Sequence, residues 1–226
     1  MAQVFSPYGL RVLKNLGEGY FSGGMHTYPV LNPSQLATTG CFFGDPVGLQ
    51  GGTVVPLTAS PTNALPGVVG IFQGAEWQDP FRGFVNAQYL PPGIFATGAT
   101  KVMVKVVDAI YPIMRVQADG SLGFTASSSP IGMNAQLMGF GNGSPFTGNS
   151  RVYLSSGVPG QLPPGQPPLT PGNPPGPTAT YAVRITGFVI DAAPSPGAGS
   201  IPGDAFTDML VTWNFGIDRY LNATGG

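Results

Sequence analysis

The sequence predicts a mostly β protein: a single β-barrel or β-sandwich-like domain with long Gly/Pro-rich loops and extended arms. Three observations lead there. Glycine and proline supply 35 and 25 of the 226 residues, and both sit poorly inside helices and central strands. The chain is nonetheless 42% apolar and 11% aromatic, which opposes disorder, because disordered segments lack apolar surface to bury. Several stretches alternate apolar and polar residues with the period of two that belongs to strands. We treat residues 1–226 as one domain, with an N-terminal arm and turns over 1–40, since the length suits one core.

Taken in order, the first strand candidates are Gly40 to Phe43, Thr53 to Leu57, Val68 to Gln73 and Phe84 to Tyr89. A clearer one follows, where Val102, Val104 and Val106 face one way and Lys101 and Lys105 the other; β-branched valine fits the pleated sheet. A break is expected over Asp108 to Pro112, since Pro112 has no N–H for a ladder. The run Ile113 to Gln117 then meets Asp119-Gly120, a pair that favours a hairpin through its positive-φ turn. Gln136 to Phe140 and Arg151 to Ser155 are weaker candidates. Val158 to Pro177 carries nine Pro and four Gly in twenty residues, with no charge and no aromatic ring. Polyproline-type extension or disorder suits that composition, and the segment reads as an exposed excursion between strands. Ala192 to Gly203 repeats the theme on a smaller scale. Two strands close the chain: Thr180 to Asp191, with Tyr181, Val183, Ile185 and Val189 on one side, and Asp208 to Asp218, with Met209, Val211, Trp213, Phe215 and Ile217 on one side.

Only 8% of the residues are charged, where soluble domains carry about 25%. Such a surface reads as one completed by other chains. The 9 basic and 10 acidic residues form no basic stripe, which argues against nucleic-acid binding. No uncharged stretch has the composition of a membrane span. Met1 to Asn15 holds no apolar run of signal-peptide length, so synthesis and folding in a cytoplasm are expected. Cys41 is the one cysteine and reads as a buried structural thiol.

Chemistry-bearing patterns are sparse. Leu16 to Gly24 has the look of a Gly-rich phosphate loop but carries Ser22 where the third glycine belongs, and Gly139 to Gly143 is followed by no lysine. His26 is the only histidine, and we read that as removing multi-histidine metal sites and triad chemistry, leaving a packed or hydrogen-bonded ring. Glu76 and Asp79 flank Trp77 and form the one candidate acid/base pair, against a solvated turn ending at Pro80. The acidic residues are too scattered for a calcium loop. No enzyme activity and no cofactor are expected.

The order of several short segments resembles a known family. SPYGLRVLK (Ser6 to Lys14), a Gly-aromatic stretch, HTYPV (His26 to Val30), CFFGDPVGL (Cys41 to Leu49) and GVVGIFQG (Gly67 to Gly74) are similar in order and spacing to the head cement, or capsid decoration, proteins of tailed bacteriophages. YPIMRVQADG (Tyr111 to Gly120), IGMNAQL (Ile131 to Leu137), Ser150 to Ser155, Tyr181 to Asp191 and Leu210 to Tyr220 resemble later strands of that family. WNFGIDRY lacks the family's histidine, and the Pro-rich Val158 to Pro177 departs from the family pattern.

The resemblance implies a non-enzymatic virion protein on the capsid exterior, made in the bacterial host's cytoplasm. Its partner would be the phage major capsid protein, whose assembled lattice it binds from outside and bridges between capsomers, with self-association as a dimer or trimer. Because aromatic residues dominate interface energetics, Phe5, Tyr8, Leu10, Phe21 and Tyr28 are the expected partner-binding anchors, against ordinary core packing for each. The alternatives are a receptor- or glycan-binding β module of a phage fibre or tail, and a glycan hydrolase using Glu76 and Asp79.

Overall fold

The computed structural model describes residues 5–15, 24–30, 40–50, 52–57, 68–109, 112–120, 130–156, 175, 181–189 and 206–214. In chain order the strands are β1 (Arg11–Asn15), β2 (His26–Pro29), β3 (Pro46–Gln50), β4 (Thr53–Pro56), β5 (Val68–Asp79), β6 (Gly83–Ala87) and β7 (Thr100–Val107). They continue with β8 (Pro112–Gln117), β9 (Asn134–Ala135), β10 (Leu137–Met138), β11 (Tyr153–Leu154), β12 (Val183–Phe188) and β13 (Asp208–Trp213). The mostly β class therefore holds, and the helical content described is one 3-10 turn, Ile94–Thr97, set between the left-handed glycines Gly93 and Gly98.

One sheet runs β1-β8-β13-β12-β9, all antiparallel. Its core face carries Met114 and Val116, Met209 and Val211, and Val183 and Ile185, all buried in one cluster with Leu10, Leu137 and Leu154. The second sheet runs β2-β7-β5-β3-β4, with β6 added to the far half of β5. Val102, Val104 and Val106 of β7 face its cluster, with Val47, Phe72, Ala75 and Trp77, while Lys105 stands on the other face against Glu76. Fully burying a Val- or Leu-sized side chain contributes about 1.5–3 kcal/mol, so the alternating valines dictate which face of β7 turns inward.

The edges of the second sheet, β2 and β4, come into contact, and Thr53 Oγ1 donates to the Pro29 carbonyl at 3.2 Å. No ladder joins them among the described residues, so the sheet is curled but open, which corrects the closed-barrel form of the prediction. Strand β5 reaches both clusters: Val68 and Ile71 lie in the first, Val69 and Phe72 in the second. A register shift against β3 between its residues 68 and 70 changes which face each side chain takes.

Three further expectations are corrected. The stretch read as an N-terminal arm contributes the edge strands β1 and β2, and Leu10 is fully buried. Among the described residues the Asp119-Gly120 pair joins β8 to no hairpin partner. The neighbours of β8 are β1 and β13, and Asp119 is buried, its Oδ1 accepting the Ser156 amide at 2.6 Å. Gly40 to Phe43 forms isolated bridges rather than a strand, with Cys41 opposite Leu90 and Phe43 opposite Asn149. Val158 to Pro174, Ala192 to Gly203 and the end of the last strand candidate beyond Asn214 lie outside the described residues.

Candidate functional site

The residues just before β1 build a polar cluster over the outer face of the first sheet. Gly9, at φ 79°, turns the chain between Tyr8 and Leu10; a Cβ there would meet the Ser150 side chain at 2.7 Å and the Gly44 carbonyl at 2.9 Å. Leu10 then enters the core, and its amide donates to the Gly44 carbonyl. Tyr8 instead lies along the sheet, its hydroxyl donating to Asp208 Oδ1 at 2.7 Å. Asp208 also pairs with Arg115 through Nη2 and, at 3.1 Å, Nε. Burial, and then the Asp208 charge, push the Tyr8 phenol well above its usual range. The Ser6 amide donates to Gln117 Oε1 at 2.8 Å.

Arg11 and Arg115 stand directly opposite one another on β1 and β8, and like charges so placed repel. Asp208 neutralises Arg115. Arg11 has a different setting, with its guanidinium 3.9 Å from the Phe43 ring centroid and Nη2 donating to Asn149 Oδ1 at 2.9 Å. Loss of hydration pulls its pKa down to about 10. Asn149 Oδ1 also accepts from Gln88 Nε2 at 3.1 Å.

Two turns present aromatic side chains to solvent, and they share one design. Asp79-Pro80-Phe81-Arg82-Gly83 joins β5 to β6, and Ser144-Pro145-Phe146-Thr147-Gly148 precedes Asn149. In the first, Asp79 Oδ1 accepts the Phe81 and Arg82 amides at 2.8 and 2.9 Å, which hold its carboxyl below the usual range. In the second, Ser144 Oγ accepts the Thr147 amide at 3.4 Å and the Ser144 carbonyl accepts the Gly148 amide at 2.7 Å. Proline pre-sets the first turn residue, and the last is a left-handed glycine in both, φ 77° at Gly83 and 69° at Gly148. The result is a phenyl ring held outward on a closed turn, 93% exposed at Phe81 and 101% at Phe146. Phe84, next along β6, is also exposed.

The anchors expected from sequence divide. Phe5 is buried, edge-on to Tyr153 at 5.3 Å and tilted against Phe206 at 5.5 Å. With Leu10 it belongs to this chain's own interior, a correction made by apolar burial that sequence distance concealed. Tyr8 and Tyr28 are half-buried with their hydroxyls committed, Tyr28 donating to Asp108 Oδ2 at 2.5 Å. Phe21 lies outside the described residues. The exposed phenyls of Phe81, Phe84 and Phe146 were missed, although the repeated x-Pro-Phe-x-Gly pattern was visible in the sequence.

Of the chemical candidates, Glu76 pairs with Lys105 at 3.0 Å while Asp79 caps its turn, so the two carboxylates serve different partners. Cys41 is a buried free thiol whose pKa is pushed up by burial and then by Asp45. His26 is exposed, and its Nδ1–H donates to Asp108 Oδ1 at 2.7 Å. A single histidine is enough for an acid-oriented ring, so the reasoning that dismissed a triad from the count alone is corrected. Burial pushes the Asp108 carboxyl up, but the bonds from Tyr28 and His26 outweigh it and hold it below its usual range. Among the described residues no group of three or more His, Cys, Asp and Glu is placed to hold a metal ion.

Fold and surface together define an antiparallel β protein with protruding aromatic turns. The chain matches no protein-family model, no curated protein and no solved structure.

Proposed function

We propose that this chain is a structural virion protein that binds the outer surface of an assembled phage capsid lattice and bridges neighbouring capsomers. The observation that carries the reading is the pair of closed turns presenting Phe81 and Phe146. A rigid, exposed aromatic side chain loses little conformational entropy on docking and brings a large apolar area to a partner pocket. Two turns of one design suit two equivalent sockets, and a lattice of identical subunits repeats its sockets by construction. The resemblance of the segment order to head cement proteins and the 8% charge support the same reading.

In this role the protein acts by mass action. It binds the lattice and not the loose subunit, which stabilises the lattice, and linked contacts on adjacent subunits make each later contact intramolecular. Tyr8 and Tyr28 remain proposed contact residues through their exposed flanks, beside Phe81, Phe84 and Phe146. The experiment is add-back to capsid shells assembled without this chain: saturable binding at a fixed copy number per shell subunit, with resistance to heat or osmotic shock restored, is expected. Absence of binding, or shells equally robust without the protein, overturns the proposal.

A further inference from the structure

We propose that Arg11, Asn149 and Gln88 form a binding site for a single carboxylate side chain of the partner protein, beside the Phe146 turn. The inference rests on the reading of the chain as a docking protein and names the chemistry of one contact.

Four observations carry it. The cluster holds two guanidiniums on directly opposed residues, Arg11 and Arg115, and one carboxylate, Asp208, which is taken by Arg115. Arg11 has no acidic partner among the described residues, so the cluster keeps one uncompensated positive charge. Second, Asn149 Oδ1 accepts from both Arg11 Nη2 and Gln88 Nε2. That fixes the orientation of the amide, because only the oxygen accepts, and leaves Asn149 Nδ2 as a donor. Arg11 Nη1 is buried with no hydrogen-bond partner, so beside the guanidinium charge the rim offers the remaining N–H groups of Asn149 and Gln88, the complement of an acceptor-only anion.

Third, the guanidinium is held in place before any ligand arrives, lying over the Phe43 ring at 3.9 Å and 5.8 Å from the Tyr8 ring centroid. A pre-set planar donor matches a planar carboxylate better than a flexible ammonium does. Fourth, one net charge with no lysine in the cluster suits a monoanion rather than a phosphate dianion. The ligand belongs to a protein because the same closed turn that leads into Asn149 projects Phe146. An apolar socket with an acid at its rim satisfies both features at once.

The test uses the intact protein. The Arg11 side-chain Nε–H resonance, assigned with Arg11→Lys, is followed by NMR through titrations with sodium acetate, sodium phosphate and sodium chloride at matched ionic strength. A saturable shift with acetate is expected, absent with chloride, lost in Arg11→Gln and weakened several-fold in Gln88→Leu. Gln88 is exposed, so its variant keeps the fold and serves if Arg11→Gln melts early. Both variants should bind shells roughly tenfold more weakly, a loss of about 1.4 kcal/mol. Equal shifts with chloride, tighter binding of phosphate than of acetate, or shell binding unchanged in both variants overturns the site. Failure of the wild-type chain to bind shells while acetate still saturates Arg11 sinks the capsid reading alone and leaves the carboxylate site supported.

Discussion

Asp45 shows how one buried side chain sets a pH dependence. It sits 3% exposed in the turn before β3, its Oδ2 accepting the Phe42 amide at 2.8 Å while Oδ1 is buried without a partner. Burial raises its pKa to about 6, against the lowering effect of the neighbouring Ser150 side chain and of the Phe42 amide. The folded state thus favours the neutral acid. Its stabilising contribution is complete below about pH 4 and is lost as pH rises through about 6, a swing of at most about 3 kcal/mol. Asp45→Asn keeps an acceptor for Phe42 and removes the charge, so its melting temperature should exceed wild type at pH 8 and converge with it near pH 4. A constant offset across that range would refute the assignment. Cys41, two residues into the same segment, is buried with a raised thiol pKa. Iodoacetamide should leave it unmodified in the native protein and label it fully in denaturant.

Strand β5 depends on close backbone approach to β7. A Cβ on Gly70 would lie 2.1 Å from the Val107 carbonyl oxygen, with Val106 Cγ1 at 2.7 Å and the Val107 carbonyl carbon at 2.8 Å, so β7 backbone itself would have to shift. Gly70→Ala should cost about 3 kcal/mol or more in urea unfolding; a loss under about 1 kcal/mol would mean the strands separate easily. Which elements form was largely legible, because valine alternation in β7 and the Met209, Val211, Trp213 alternation in β13 named the inward faces. The opposite face of β13 was not legible. Asp208 is polar yet buried, because Tyr8, two hundred residues away in sequence, bonds across that face to it. Asp119 misled for a similar reason: a turn-forming pair was recruited to cap Ser156. The polar cluster around Arg11 draws on β1 and the segment before it, the residue after β6, β8, the Asn149 loop and β13, and no local spacing announces such a meeting. Deleting Val158 to Pro177 and joining the ends with a short Gly-Ser linker should preserve cooperative melting, since Ser156 and Ala182 are each held by the body of the protein.

For the molecule as a whole, docking and folding are expected to separate under mutation. Phe81→Ala and Phe146→Ala remove exposed side chains, so their melting temperatures should match wild type within a degree or two. Shell binding by each should fall roughly thirtyfold, or about 2 kcal/mol. Phe5→Ala should do the reverse, lowering the melting temperature because the ring packs on Tyr153 and Phe206. Copy number and add-back assays on shells measure the first effect, and thermal melts the second. Equal binding by both surface variants would move the contact surface elsewhere on the molecule.

Strand β5 supplies side chains to both apolar clusters from consecutive residues, Val68 and Ile71 to one and Val69 and Phe72 to the other. Neither cluster can dissolve without withdrawing this strand from its neighbour. The consequence is calorimetric: heat should be absorbed in one peak whose van't Hoff and integrated enthalpies agree, rather than in two peaks belonging to two sheets. In the proposed role on a capsid, strain applied at one docking turn would be shared by the entire subunit, which yields all at once or not at all.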